Sequence, residues 1–313
     1  MANLAGMSLG EHPSISAAAP ARADWTYLGW QGWGLFCPAS WNPVILSAMR
    51  RSGSVVLADL DSRRLELTWR SRPKRKRVDL ARTIDEVAAS LTGRIDRHDL
   101  RRREQRQFQS SELIYSRGEQ VAAVALASEV TQRAVVLRFW LVGVEKPLEM
   151  ARAVIGSLRD FRADEPSPWA LYDLAFWLPA RFRLTDRQIL AGSTRLAFAG
   201  PGAVLSFSKV AAAAAGADPT DPVEWFARSH RKDRRWYRYQ QLPQAVGQHE
   251  ATLTAGRLPR YRWPGQWYRR ELLALCWACR VSERMFEVQT TGWRLKMALL
   301  QEAADGLVCH LPK

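Results

Sequence analysis

A chain that carries one pattern twice is confined to folds that can be built twice, and this chain repeats itself in order. Trp33-Gly-Leu-Phe-Cys-Pro-Ala-Ser-Trp41 is echoed by Leu174-Ala-Phe-Trp-Leu-Pro-Ala-Arg-Phe182, with Pro38-Ala39 matching Pro179-Ala180. Leu65-Glu-Leu-Thr-Trp69 is echoed by Leu205-Ser-Phe-Ser-Lys209, and Val130-Thr-Gln-Arg-Ala-Val-Val136 by Val281-Ser-Glu-Arg-Met-Phe-Glu287. The spacing between partners is nearly constant, then widens by about ten residues in the middle of the second copy, as a duplicated domain predicts. A residue type found in one copy alone is not needed by the fold and is free to carry function. The 313 residues suit two domains of ordinary size, each able to bury a core.

Within the first copy, Leu65, Leu67 and Trp69 alternate with Glu66 and Thr68, the period of a half-buried strand. Val55 to Leu60 reads as its partner across a turn near Asp61. Ala81, Ile84, Ala88 and Leu91 share one helical face behind a cap at Asp79. Glu112 to Tyr115, Val121 to Ala127 and Ala134 to Trp140 read as strands, and Pro147 starts a closing helix. The second copy repeats this order: strands over Ile189 to Phe198 and Ala203 to Val210, a helix capped at Asp221-Pro222, a hairpin from Glu271 to Thr290, and a helix over Leu295 to Leu307. Strands, helix, strands, helix predicts an α+β fold, two similar domains, each an antiparallel sheet flanked by helices. The expected organisation is a flexible tail over 1–24, a first domain over 25–162, a charged, proline-bearing linker over 163–168 and a second domain over 169–313.

An aromatic strand ending in Pro38 or Pro179, a two-strand meander, a helix, a hairpin and a closing helix resemble, in that order, the PsbP-like fold. That family includes the extrinsic proteins of photosystem II and a nuclear-import factor that binds the Ran GTPase. The resemblance spans nearly all of both copies. It implies partner binding without catalysis and carries over no functional residue.

Lys and Arg outnumber Asp and Glu by 46 to 31, a net charge of +15 that draws anionic partners. High Arg with abundant Ala equally fits a GC-rich bacterial genome. The positive charge gathers in four segments: Arg70 to Arg77, Arg94 to Arg106, Arg228 to Arg238 and Arg257 to Arg270. In the last two it is interleaved with Trp and Tyr. Guanidinium groups grip phosphates while rings stack on unpaired bases. Arg72, Lys74, Arg75, Lys76, Arg231, Arg234, Arg235, Arg262, Trp263 and Trp267 are therefore the polyanion-binding candidates, with a solvated face or rings anchoring the core as the plain alternative.

Cys276-Trp-Ala-Cys279 with Cys309-His310 is the one grouping that resembles a metal site. Three considerations oppose it. Residues three apart on a strand point to opposite faces, adjacent Cys309 and His310 seldom hold one ion, and no helix starts at the pair to lower a thiol pKa. In its favour, the matching first-copy residues are Ala125 and Ser128, and the hairpin and closing helix can bring Cys279 near Cys309. No His, Ser or Asp stands in the local pattern of a nucleophile elbow or catalytic pair. His249 merely precedes a strand. The expectation is a non-enzymatic binding or assembly protein without cofactor or metal, whose partner is a protein or an anionic polymer such as nucleic acid. With no secretory signal and no apolar run long enough to span a bilayer, it is expected in the cytoplasm of a bacterium, away from membranes.

Overall fold

The computed structural model describes residues 24–49, 51–71, 78–100, 107–162, 164–172, 174–211, 221–231, 238–257, 271–292 and 297–309. The chain divides into two compact units, Met1–Arg162 and Ala163–Lys313.

The first unit opens on a hairpin of β1 (Trp25–Trp30) and β2 (Trp33–Pro38). Gln31 and Gly32 join them with φ of 53° and 77°, the left-handed backbone that suits a two-residue turn between twisted strands. A meander of β3 (Asn42–Ala48), β4 (Ser52–Ala58) and β5 (Arg63–Ser71) follows. Helix α1 (Leu80–Ala88) begins at Asp79, whose carboxylate accepts from the Arg82 amide at 2.9 Å. Then come β6 (Ile95–His98), β7 (Phe108–Ser110), β8 (Leu113–Ser116) and the hairpin of β9 (Val121–Ser128) with β10 (Arg133–Trp140). Helix α2 (Pro147–Ser157) leads into the short β11 (Arg159–Asp160), which returns to β2. The large antiparallel sheet runs β3-β4-β5-β10-β9-β8-β6, with β7 also on β9.

The second unit has the hairpin β12 (Ser167–Leu171) and β13 (Leu174–Leu178), then β14 (Arg183–Leu190), β15 (Ser193–Gly200) and β16 (Ala203–Ala211). Helix α3 (Pro222–Ser229) is capped by Asp221, which accepts from the Val223 and Glu224 amides. Strands β17 (Arg238–Val246), β18 (His249–Arg257), β19 (Glu271–Cys279) and β20 (Arg284–Gly292) complete its sheet. Helix α4 (Met297–Asp305) precedes β21 (Leu307–Val308), which pairs with β13. The sheet order is β14-β15-β16-β20-β19-β18-β17.

The two units therefore share one connectivity: a hairpin, a meander, a helix, strands ending in a hairpin, a helix and a returning strand. Register gives the correspondence residue by residue. Ala134 lies opposite Ala127 and Arg70, while Met285 lies opposite Ala278 and Val210. Hence Ala125 matches Cys276 and Ser128 matches Cys279. Under the helices the match holds with different volumes. Ile84 and Val87 of α1 pack on Ile114, Ala123 and Ala125, whereas Trp225 and Phe226 of α3 pack on Leu272, Ala274, Cys276 and Met285.

The α+β expectation, sheets flanked by helices, is corrected by this architecture, which is mostly β: strands make up 57% of it and helices 16%. Among the described residues the four helices span only 8–11 residues each. The strands that escape sequence patterning lie mainly at sheet edges. Strands β14 (RLTDRQIL) and β17 (RYQQLPQAV) are almost wholly exposed, so no apolar alternation marks them. Ile189 to Phe198, expected as one strand, is broken by a turn at Gly192 into the ends of β14 and β15. Ser167 and Pro168, expected in a linker, already pair with β13. Of the expected tail, residues 1–23 lie outside the described residues. Among the described residues no helix is long and apolar enough to cross a membrane.

Candidate functional site

Strand β19 separates its two cysteines by pleat. Cys276 faces α3 among Trp225, Phe226 and Met285, opposite Glu287 on β20. Burial pushes its thiol well above the ordinary cysteine value, and the Glu287 charge adds to that. A neutral thiol in that setting behaves as a small hydrophobe. It is removed from the metal-ligand set. Cys37 is likewise buried, its thiol pushed up to about 12 by loss of solvent.

Cys279 ends β19 at the start of a turn in which Glu283 takes a φ of 53°. Burial opposes its thiolate. The polar groups of Ser282, Cys309 and Val281 gathered beside the sulfur outweigh that and hold the thiol below its ordinary value. Two further elements converge here. With Ala251 opposite Trp277 on the neighbouring strand, the first residue of β18, His249, comes level with Cys279. Cys309 directly follows β21, and its sulfur lies 3.0 Å from His249 Nε2. The imidazole nitrogen and the two sulfurs all lie within 4.8 Å of one another. Cys279 is buried, while His249 and Cys309 are half-buried, so the group reaches solvent at one side.

The first unit shows what the fold itself requires at this place. Its β9–β10 turn also carries a left-handed residue, Gln132 at φ 57°. There Ser128 Oγ accepts from the Val130 and Thr131 amides at 3.2 and 3.1 Å, as Cys279 does from Val281 and Ser282. Strand β11 sets Asp160 opposite Trp33, and β21 sets Val308 opposite Ala175, one residue beyond the equivalent place. Cys309 thus stands where Asp160 stands. Asp160 accepts from the Thr131 hydroxyl and from Arg133 Nη1, the latter at 3.2 Å. Burial raises its carboxyl, against the lowering effects of Arg133, Ser128 and Thr131. One unit fills the position with oxygen and a charge pair; the other fills it with sulfur and imidazole.

A second set is also peculiar to the second unit. His230, at the end of α3, meets Glu287 at 2.8 Å with both side chains buried. By register Val136 takes the place of Glu287 in the first unit, beneath α1.

Of the residues singled out in the sequence, the structure brings together Cys279 and Cys309 and leaves Cys276 on the opposite face. His310 lies outside the described residues, as do Arg72, Lys74, Arg75, Lys76, Arg234, Arg235, Arg262, Trp263 and Trp267. Arg231 is exposed just past α3. The sequence places His249 only before a strand, because its partners are 30 and 60 residues away along the chain. Only the strand register, read from the alternation of Ala251 and Leu253, could have pointed to it.

No family model and no curated protein matches the chain. Among solved structures it is similar to a Pseudomonas aeruginosa protein of unknown function, at 14% identity and a TM-score of 0.24, over 44% of this chain and 86% of that one. A likeness of that degree carries no functional argument.

Proposed function

We propose that this is a non-catalytic binding protein whose second unit holds a soft metal ion through Cys279, Cys309 and His249. The observation that carries the reading is the convergence of two sulfurs and an imidazole nitrogen within 4.8 Å, at a position the first unit fills with Ser128 and Asp160. Thiolate and imidazole ligands select zinc and its soft neighbours over calcium or magnesium. Zinc–sulfur bonds of about 2.3 Å at tetrahedral angles put two sulfurs about 3.8 Å apart, a spacing these side chains reach by small rotations. Among the described residues three donors leave one position of a tetrahedron open, a place for water or for a further donor. That open position ties the site to the assembly role expected from the sequence. The shared order of hairpin, meander, helix, hairpin and helix supports reading each unit as PsbP-like.

Cobalt(II) reports on such a site directly. Titration of the reduced protein is expected to produce a sulfur-to-cobalt charge-transfer band that saturates at about one ion per chain and is bleached by zinc. A featureless titration, or the same band in Cys279→Ser, sinks the reading.

A second reading has its own observation. Arg238 and Arg257 lie directly opposite each other across β17 and β18, both exposed, and their repulsion is offset only in part by the Glu271 carboxylate 3.8 Å from Arg257 Nε. A bridging phosphate relieves that repulsion, and the net charge of +15 supplies long-range attraction. Binding of a single-stranded oligonucleotide is expected to weaken steeply between low and moderate salt. Absence of binding at low salt eliminates it.

A further inference from the structure

We infer that Cys279 and Cys309 are a reversible dithiol–disulfide pair, so that oxidation dismantles the soft-ion site. The gating half of this inference rests on the metal reading; the pairing itself rests on the side chains alone. Cys37, Cys276 and Cys279 are each 1% exposed or less and Cys309 is half-buried, so burial alone singles out no pair. Cys279 and Cys309 are the two whose sulfurs share one place.

Their sulfurs lie within 4.8 Å of each other. A disulfide needs sulfurs about 2.05 Å apart and Cα atoms about 4.4–6.8 Å apart. Cys279 is the last residue of β19 before its turn, and Cys309 follows β21 without belonging to its two-residue ladder with β13. Neither residue is locked between ladder partners on both sides, which leaves both side chains room to adjust toward closure. The bond would staple the end of β19 to the residue after β21, with β20 and α4 inside the loop. In the first unit Ser128 and Asp160 hold the same positions and have no such chemistry, so the fold does not call for the bond.

Accessibility divides the labour. Cys309, half-buried, meets the oxidant, and Cys279, buried behind it, resolves the product. With hydrogen peroxide as oxidant, the Cys309 sulfur attacks one oxygen and the O–O bond breaks. One oxygen stays on sulfur as the sulfenic acid, and the other leaves with the thiol proton as water. The Cys279 sulfur then attacks the sulfenic sulfur. The S–S bond forms, the S–O bond breaks, and hydroxide departs with the second thiol proton as water. Two thiols lose two electrons and one peroxide gains them; a dithiol reductant returns them. An ion bound by both sulfurs occupies the lone pairs that would attack, so bound metal shields the pair. Once the bond forms, two of the three donors are lost.

The test uses full-length protein, reduced and freed of metal, exposed to hydrogen peroxide. The expected result is an intact mass lower by about 2 Da, loss of two of the four titratable thiols, and a Cys279–Cys309 cross-linked peptide reversed by dithiothreitol. Cys279→Ser should instead stop at an oxygen adduct on Cys309, which shows the order of attack. Zinc added beforehand should slow the mass loss at least tenfold. Zinc that binds but gives no shielding overturns the gating and leaves the pair standing. Zinc that fails to bind removes the metal reading while the pair is upheld. If the metal-free protein forms no Cys279–Cys309 link, or if the links scramble among all four cysteines, the inference is overturned whatever zinc does.

Discussion

Arg133→Met is expected to destabilise the first unit by about 3–5 kcal/mol, because it strands a buried carboxylate. Asp160 is 3% exposed, and Arg133 is the cation that reaches it, at 3.2 Å. The same Nη1 donates to the Gln31 carbonyl at 2.8 Å, and the guanidinium lies 4.9 Å from the Trp69 ring centre. Methionine keeps the packing of the stem and loses all three. The cost should fall with acid. Burial already raises the Asp160 carboxyl, and without Arg133 it rises further. The folded state then takes up a proton more readily than the unfolded chain. The deficit is accordingly complete above the folded pKa and shrinks as pH falls toward the ordinary carboxylate value. Urea unfolding followed at pH 7 and at pH 5 measures both terms. Arg133→Met with Asp160→Asn should recover the pH-dependent part of the loss, since the charge is gone, and leave the part owed to the Gln31 carbonyl and the Trp69 ring. A single variant that costs less than about 1 kcal/mol, or a loss indifferent to pH, removes the pair from the account of stability.

The second unit solves one part of this problem with a different residue. Lys209, buried on β16 at the place of Trp69, donates to the Tyr172 carbonyl, which matches that of Gln31. Both carbonyls belong to left-handed turn residues, at φ 53° and 47°, and a buried turn carbonyl needs a donor. That requirement is invisible in sequence, where Trp69 and Lys209 look unrelated. What could be read were the buried strands. Leu65, Leu67 and Trp69 fall on the covered face of β5, and Leu205 and Phe207 on that of β16, because alternation records which side meets the core. The polar edge strands β14 and β17 have no such record, and leaving them out is what made the helices seem to flank smaller sheets. The site was half legible for a related reason. A shared turn motif made Ser128 and Cys279 comparable, so the sulfur stood out as unnecessary. Joining Cys279 to Cys309 required the return of β21 to β13, a two-residue pairing too short to leave a pattern. His249 required the register of β18 on β19.

Exchanging the second unit's sulfurs for the first unit's oxygens separates fold from function in one protein. Cys279→Ser with Ser282→Thr and Cys309→Asp installs the set Ser128, Thr131 and Asp160, and Arg284 already stands at the place of Arg133. Each hydrogen bond of the turn then has a working precedent in the first unit, so stability should change by no more than about 1–2 kcal/mol, within the range of ordinary substitutions. Metal affinity should fall much further. Losing a second-shell partner costs about 10–100-fold, and this exchange removes two thiolate ligands outright, so a loss beyond about 100-fold is expected, with the cobalt charge-transfer band abolished. The reverse exchange, Phe108→His, Ser128→Cys and Asp160→Cys, tests sufficiency, because Phe108 lies opposite Ser128 as His249 lies level with Cys279. It also leaves Arg133 without its carboxylate, so its readout is cobalt binding rather than stability. Retention of metal by the oxygen set would place the ion elsewhere. A forward exchange that unfolds the second unit would show that the sulfurs belong to the architecture after all. Folding kept and metal lost is the pattern expected of residues that the duplicated fold left free.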